Sequence, residues 1–279
     1  MEKLSVARTG RRVCRVSLWL TFLLVRVLTV DAQRADLPFS PGEELRYGAY
    51  YNWQFLWVNA GEVVFQTDTV RQNGQTEWLL EATGATYKAY DLFYTVRDTF
   101  RTLLTYPDFQ PLHFYRAVNH GGHQSWQSYA FDRTARKISY VTRAKKSDPR
   151  QRELPLSTDV HDLLSQAYLF RKYNFDGLKK DEMIRFSMMT DEKPADFYFR
   201  YKGKEVVKTR NGRRFNCHKV SVWLMEGEFF PEGEDMLVWF TADKNHIPVM
   251  VETKIQIGAV KAIFLDANSL TYPLNSEIN

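Results

Sequence analysis

Residues 58–86 read VNAGEVVFQTDTVRQNGQTEWLLEATGAT, and this stretch decides the fold class. Its two arms, 58–70 and 76–86, are rich in β-branched and other strand-forming residues and flank the pair Asn73-Gly74. A two-residue hairpin needs positive φ at both central positions, which asparagine and glycine adopt most readily. The stretch therefore predicts two antiparallel strands joined by a tight turn.

The same alternation of strand-like segments and turn residues continues along the chain. Gly121-Gly122 predicts a further reversal, and Asn211-Gly212 predicts another two-residue hairpin. The segments predicted as strands are 44–53, 58–70, 76–86, 95–105, 111–120, 124–132, 137–145, 181–190, 195–201, 205–210, 214–225, 235–242, 249–257 and 259–266. Because sequential strands with short connections pair with their neighbours, we expect a mainly β fold, a large antiparallel meander that forms a curved sheet, half-barrel or barrel.

One segment, 158–174, has helical rather than strand-like spacing of its apolar residues. Thr158 is the predicted N-cap, and Gly177 is expected to close the helix. The predicted apolar stripe includes Leu164, Ala167 and Tyr168, and it has to be buried somewhere. The sequence therefore predicts one long helix packed against the sheet.

The N-terminal 32 residues have the order of a secretory signal peptide. A basic start is followed by an apolar run over 16–30 and by Val30-Asp31-Ala32, which offers small residues for cleavage. The run is shorter than the roughly 20 residues that a membrane-spanning helix needs. We expect residues 1–32 to be a cleaved signal and residues 33–279 to form a single β-rich domain, exported and without a transmembrane segment.

Charge and cysteine content narrow the compartment and the partners. Residues 1–32 contain six basic and two acidic residues, which leaves 32 basic and 31 acidic side chains after Gln33. A nearly neutral domain does not favour nucleic-acid binding. Cys14 precedes the apolar run and Cys217 is then alone, so no intramolecular disulfide and no lipoprotein cleavage site are expected. The residues after the signal are therefore expected to form an exported domain without a disulfide or a lipid anchor.

The candidate chemical groups are few. The pair His120 and His123 has metal-like spacing, but a polar hairpin tip is the more economical interpretation. The acidic loop 226–235 is either solvated or an ion site, and both alternatives stay open. Carboxylates such as Asp91 and Asp98 do not indicate glycoside hydrolysis without geometry. No nucleophile, metalloprotease or phosphate-loop motif is present, so we predict no catalytic residue, no metal and no cofactor.

Basic and aromatic residues are the other notable groups. Two basic runs, over 133–152 and 200–214, are either solvated strand faces or a stripe that faces anionic headgroups or glycans. The aromatic residues predicted to bind a ligand are Trp57, Trp239 and Tyr168. We expect Trp57 and Trp239 to line a cavity between the helix and the sheet, with a fully packed core as the alternative.

Several short motifs, in this order, resemble one exported bacterial family, the domain of unknown function 3108. The motifs are Gly42-Glu43-x-Leu45-x-Tyr47, Trp57-Val-Asn-Ala60-Gly61, Leu92-Phe93 before Val96-Arg-Asp98, Asp162-Leu-Leu-Ser165-x-Ala-Tyr168-x-x-Arg171, and Trp239-Phe-Thr-Ala-Asp243 with Pro248 and Gly258. The resemblance implies a periplasmic or outer-envelope protein rich in antiparallel strands and supplies no established activity. The expected architecture is also similar to lipoprotein-carrier and lipid-binding half-barrels.

These observations favour a non-catalytic envelope protein. Its predicted partner is a lipid or other amphiphile, or an envelope protein, held in a curved antiparallel sheet. The alternatives are a carbohydrate-active enzyme or glycan-binding module, and a structural component of an envelope assembly. An apolar cavity favours the first function, an open cleft with facing carboxylates the second, and a filled barrel the third.

Overall fold

The strands form one continuous sheet, as the hairpin pattern predicts. The computed structural model describes residues 37–53, 56–145, 147–157, 159–190, 193–223, 235–254 and 259–279. The described strands are β1 Glu43–Trp53, β2 Leu56–Gln72, β3 Gln75–Thr86, β4 Val96–Thr105, β5 Pro111–His120, β6 His123–Asp132, β7 Lys137–Ala144, β8 Arg150–Pro155, β9 Val160–His161, β10 Met183–Met189, β11 Pro194–Lys208, β12 Arg214–Trp223, β13 Asp235–Thr241, β14 Pro248–Lys254, β15 Ala259–Asn268 and β16 Glu277–Ile278.

The sheet consists of two meanders that meet where β1 pairs with β15. Its order is β8-β7-β6-β5-β4-β3-β2-β1-β15-β14-β13-β12-β11-β10-β9, with β16 beside β12. All described pairings are antiparallel except the short parallel contact of β9 with β10. Within the described residues the sheet is open, because β8 and β9 end the strand order. The predicted mainly β, antiparallel fold class is confirmed.

Two of the three predicted tight turns have the expected backbone. Asn73 and Gly74 have φ of 50° and 81°, and Gly121 and Gly122 have φ of 57° and 87°. The prediction of a two-residue turn at Asn211-Gly212 is wrong, since five residues separate Lys208 from Arg214. There the Asn211 side chain accepts hydrogen bonds from the Thr209 hydroxyl and the Arg213 amide, which stabilises the wider loop.

The turn between β13 and β14 depends on Asp243. Its Oδ1 accepts hydrogen bonds from the Thr241 hydroxyl and the Asn245 amide, and its Oδ2 accepts one from the Ser276 amide. Pro248 then begins β14, where a missing amide proton costs least. The sequence predicts a turn at Asp243-Lys244-Asn245-His246, because aspartate accepts hydrogen bonds from amides one or two residues on, and a strand that begins at Pro248. The structure confirms both roles.

The helix is shorter than predicted and begins later. Helix α1 spans Leu163–Phe170, whereas the predicted range is 158–174, and its N-cap is Asp162. Val160–His161 instead pairs with β10, and Gly177 ends a short 3₁₀ helix, Phe175–Gly177. Thr158, the predicted cap, lies outside the described residues, as do the predicted signal over 1–32, Gln33 and the acidic loop as far as residue 234.

The sheet curls around α1. The helix contacts β3 and β4 on one side and β10 on the other, although these strands are far apart in the strand order. Leu164 and Tyr168 pack into an apolar cluster with β3–β7, which confirms that the helix packs against the sheet. No helix in the described part of the chain is long and apolar enough to cross a membrane. Cys217 is buried, and burial raises the pKa of its thiol to about 12.

Candidate ligand-binding site

The site is built around the fixed start of α1. The Asp162 carboxylate is fully buried and accepts hydrogen bonds from the amides of Leu164 and Ser165 at 3.0 and 2.9 Å. The hydroxyls of Thr102 and Ser165 each donate a further bond to it at 2.8 Å. Burial raises the pKa of Asp162, and the bonds from Ser165, Thr102 and Leu164 oppose that shift. The helix is therefore anchored directly to β4.

An apolar cavity of about 320 Å³ lies between α1 and the sheet. Its wall comes from the helix and from both meanders, and its polar lining groups are confined to the helix and β1. The lining residues used below are Tyr168, Arg171, Leu163, Ala167, Gln166 and Phe186. Leu163 is 47% exposed, so the cavity wall reaches the protein surface at the start of the helix. The arrangement suits a small apolar molecule or one apolar chain.

A buried ion pair between Arg171 and Glu43 lies at the end of the helix, beside the cavity. The Arg171 guanidinium lies 2.5 and 2.9 Å from the two carboxylate oxygens of Glu43, and both side chains are at most 2% exposed. Arg171 also donates to the carbonyls of Asn245 and Pro38. Burial is the largest single cause and lowers the pKa of Arg171, but the Glu43 carboxylate, with smaller contributions from Tyr168 and Tyr47, raises it, so the net shift is upward. The charges are thus matched within the protein.

Tyr168 is held between the cavity and this ion pair. Its hydroxyl accepts a hydrogen bond from Thr67 at 2.9 Å, and the Arg171 guanidinium lies 5.6 Å from its ring centroid. Burial is the main cause that raises the pKa of Tyr168, so the phenol stays protonated at neutral pH. Of the three predicted ligand-binding residues, the structure places Tyr168 in the cavity wall.

The two predicted tryptophans lie elsewhere. Trp239 points away from the cavity, because its neighbours Val238 and Phe240 line the wall and adjacent strand residues face opposite sides. The Trp239 indole donates to Glu205, and Lys219 Nζ is 4.8 Å from its ring centroid. The ring of Trp57 is flanked by Arg210 and Lys261 at 5.2 and 4.9 Å. Neither tryptophan is among the described lining residues, and the structure does not bring them together with Tyr168.

A polar cleft of about 510 Å³ adjoins the apolar cavity. Gln166 and Phe186 line both spaces, so the cleft and the cavity share a wall. The charged and titratable residues of the cleft are Asp159, His161, Lys172, Tyr173, Arg185 and Asp196. Burial lowers the pKa of Lys172. Burial is also the main cause that lowers the pKa of His161 to about 4, with smaller contributions from the positive charges of Arg133 and Lys172. A molecule with one apolar and one polar end fits this pair of spaces.

The low pKa of His161 predicts a pH-dependent stability. The unfolded chain protonates this histidine near pH 6.5, whereas the folded chain keeps it neutral to about pH 4. Between those values the unfolded state binds more protons, so the free energy of unfolding falls as the pH falls. From pH 7 to pH 5 we expect His161 to contribute a loss of about 1–2 kcal/mol.

Urea unfolding at pH 7, 6 and 5 checks this expectation. In His161→Asn the pH-dependent loss should be smaller by that amount, because asparagine does not titrate. His218→Asn should also flatten the curve, since burial lowers the pKa of His218 to about 4 as well. Identical pH slopes in the wild type and in His161→Asn would show that His161 binds its proton equally well in the folded and unfolded states, which contradicts the lowered pKa.

The other candidate groups have partners that account for them. Asp98 accepts from His120 Nε2 at 2.9 Å, and His120 faces His123 across the β5–β6 hairpin. Asp91 pairs with Arg97 at 2.6 Å, and hydrogen bonds from Arg97 and Thr86 lower its pKa. Asp91 and Asp98 therefore each hold a structural contact. Among the described residues, no cluster of three histidine, cysteine or acidic side chains is arranged to hold a metal.

The sequence interpretation missed Glu43, Arg171 and His161. Glu43 and Arg171 both occur in the motifs of the family resemblance, but their ion pair joins positions 128 residues apart. His161, Ser165 and Asp162 also come together, with the Ser165 hydroxyl donating to Asp162 and lying 3.3 Å from His161 Nδ1. Because that hydroxyl proton is directed at the capping carboxylate and Ser165 is fully buried, the cluster stabilises the helix start.

Comparisons with known proteins agree with the fold. The family model described as "Protein of unknown function (DUF3108)" matches residues 46–264. Among solved structures, a beta-barrel-like protein of domain of unknown function DUF1849 from Brucella abortus is similar, with a TM-score of 0.50 and 6% identity. The match covers 82% of this chain and 98% of that one, and at this identity it shows the fold alone. No curated protein matches the sequence.

Proposed function

Since the chain belongs to the DUF3108 family of proteins of unknown function, we propose a function from its geometry: it binds an apolar or amphiphilic ligand between α1 and the sheet. The observation that carries this proposal is the apolar cavity of about 320 Å³, whose wall is built by residues from nine elements of the fold. Protein interiors usually leave no void of this size. This volume supports a binding role over a purely structural one.

The size and lining of the cavity favour a single apolar chain. An apolar cavity of about 150 Å³ is enough to bind benzene, and this one has about twice that volume. It is at the lower end of the range for ligand pockets, about 300–1,000 Å³. A sterol or a lipid with several chains would need more room. An acyl chain that passes Leu163 at the protein surface suits the cavity better.

The adjoining cleft supports an amphiphile over a plain hydrocarbon. A chain in the cavity would pass Gln166 and Phe186 and place its polar end beside Lys172 and Arg185. The same cleft contains Asp159 and Asp196, so cations and carboxylates are balanced there. A carboxylate or phosphate head can pair with Lys172 or Arg185, and hydroxyl or amine groups can reach the acidic residues.

Titration with a fluorescent fatty acid such as cis-parinaric acid tests the proposal. We expect saturable binding to the wild type and a loss of at least about tenfold in affinity for Ala167→Phe. Ala167 lines the cavity, so the phenyl ring would occupy the volume that the acyl chain needs. If about two methylene groups of the acyl chain are no longer buried, the affinity falls by about tenfold.

Ala130→Phe is the matched control, because Ala130 is exposed on β6 and away from the cavity. It introduces the same ring without filling the site and should bind the probe as the wild type does. Thermal unfolding must show that both variants fold. Equal affinity of the wild type and Ala167→Phe, or no saturable binding by the wild type, would contradict a ligand site in this cavity.

We also propose that the protein is exported and that residues 1–32 direct this export and are then cleaved. The basic start, the short apolar run and the small residues before Gln33 support this proposal. N-terminal sequencing of the protein recovered from the cell envelope should give a chain that begins near Gln33. An intact Met1 on the protein from that fraction would contradict cleavage.

A further inference from the structure

The loop between β3 and β4 exposes an unusual group of apolar side chains. Among the described residues, eight large hydrophobic side chains are exposed, and four of them lie in residues 87–94. Leu92 and Phe93 are the most exposed, at 90% and 84%, followed by Tyr94 at 51% and Tyr87 at 37%. A contiguous apolar group of this kind marks an interaction site, whereas single exposed apolar residues are ordinary.

The backbone of this loop is held in place beneath the exposed side chains. The Asp91 carboxylate accepts from the Thr86 hydroxyl at 2.8 Å and pairs with Arg97 at 2.6 Å. The amide of Phe93 donates to the carbonyl of Tyr90, and Gly121 in the next hairpin donates to Thr95. The structure thus presents Leu92 and Phe93 to solvent from a fixed turn, and burying them in a partner would require no refolding.

A cationic depression of about 500 Å³ adjoins the loop on the outer face of β4–β7. Arg97 lines it and also pairs with Asp91, so the depression and the loop are contiguous. Arg143 and Lys145 line it as well, and each donates to a backbone carbonyl 3.1 Å away. No described lining residue is a carboxylate. The charges of Arg143 and Lys145 are therefore available to an anionic partner.

From this juxtaposition we propose that the loop 87–95 and the adjoining cationic depression form a docking surface for an anionic lipid bilayer. Leu92 and Phe93 enter the acyl region, Tyr87 and Tyr94 lie at the headgroup level, and Arg143 and Lys145 face the anionic headgroups. A highly exposed apolar turn, with tyrosines in the same loop and cations beside it, suits a bilayer better than a protein interface, whose apolar core is a packed patch depleted in charge. The proposal is independent of the ligand cavity.

Co-sedimentation of the full chain with vesicles tests the proposal. Wild type should bind phosphatidylcholine vesicles that contain phosphatidylglycerol, and this binding should weaken as salt is added. The variant Leu92→Ser/Phe93→Ser should bind them at least about tenfold more weakly, because two large apolar side chains no longer enter the bilayer. The variant Arg143→Ser/Lys145→Ser should lose the preference for phosphatidylglycerol over pure phosphatidylcholine.

The matched control is Val206→Ser/Val260→Ser, which removes two exposed apolar side chains outside the loop. It should bind vesicles like the wild type. Because all six substituted side chains are exposed, circular dichroism should show the same fold in the three variants as in the wild type. Equal binding of the wild type and Leu92→Ser/Phe93→Ser overturns the proposal, as does no binding by the wild type. Capture of a protein partner through Leu92 and Phe93, without binding to lipid, assigns the surface to a protein instead.

Discussion

Arg171→Met is expected to lower the free energy of unfolding by about 3–5 kcal/mol. The substitution leaves the fully buried Glu43 carboxylate without its ionic partner. Four further contacts of the guanidinium are lost with it, the bonds to the carbonyls of Asn245 and Pro38 and the packing against the rings of Phe39 and Tyr168. Urea unfolding at pH 7, followed by tryptophan fluorescence, measures the difference from the wild type.

Arg46→Met is the matched control for this prediction. Arg46 pairs with Glu62 at the surface, where the two side chains are 47% and 25% exposed. Water can solvate Glu62 after the substitution, so the unfolding curve should move far less than in Arg171→Met. The double variant Glu43→Leu/Arg171→Met should recover part of the loss, because neither charge is then buried. An effect of Arg171→Met no larger than that of Arg46→Met would contradict the prediction.

The buried pair also connects stability to the proposed site. Arg171 follows the last turn of α1, Glu43 begins β1, and Asn245 lies in the turn between β13 and β14. The three elements that carry these residues also contribute to the cavity wall. Arg171 therefore fixes the position of α1 relative to both meanders. A conservative change at this position should disturb the cavity even though the side chain is not at its centre.

The strands and most turns could be predicted because their signals are local. Asn73-Gly74 and Gly121-Gly122 fix two hairpins by backbone conformation alone, and Pro248 marks the start of a strand for the same reason. The start of the helix depends on more than local sequence. Asp162 caps the helix with the help of a hydrogen bond from Thr102, which is 60 residues away. Val160 and His161 leave the predicted helix because β10 offers them backbone partners.

The site was harder to predict because its residues come from distant segments. Because side chains alternate along a strand, the sequence places Trp239 on the opposite face of β13 from Val238 and Phe240. It does not show which of the two faces is directed towards α1. Only the pairing of the two meanders decides that. Arg171 resembles an ordinary surface cation at a helix end, and its partner Glu43 lies 128 residues earlier. The existence of a cavity depends on how the curled sheet closes over a helix of only two turns.

Leu164→Ala is expected to lower the free energy of unfolding by about 2–5 kcal/mol. Leu164 is 3% exposed and packs in the apolar cluster that joins α1 to β3–β7. Truncation removes apolar contacts and leaves a void, because neighbours in the cluster such as Leu80 and Leu104 are held by the sheet ladder. Alanine favours the helical backbone, so the loss would come from packing and not from helix propensity.

Leu163→Ala separates these causes, because it makes the same chemical change one residue earlier in the same helix. Leu163 is 47% exposed and lies outside that cluster, so its truncation should change the free energy of unfolding far less. Urea unfolding of both variants without added ligand gives the comparison. If α1 is anchored mainly by its Asp162 cap and by Arg171, the two leucine variants will have similar stability. A large loss in Leu164→Ala alone means that apolar packing against β3 and β4 holds the helix over the cavity.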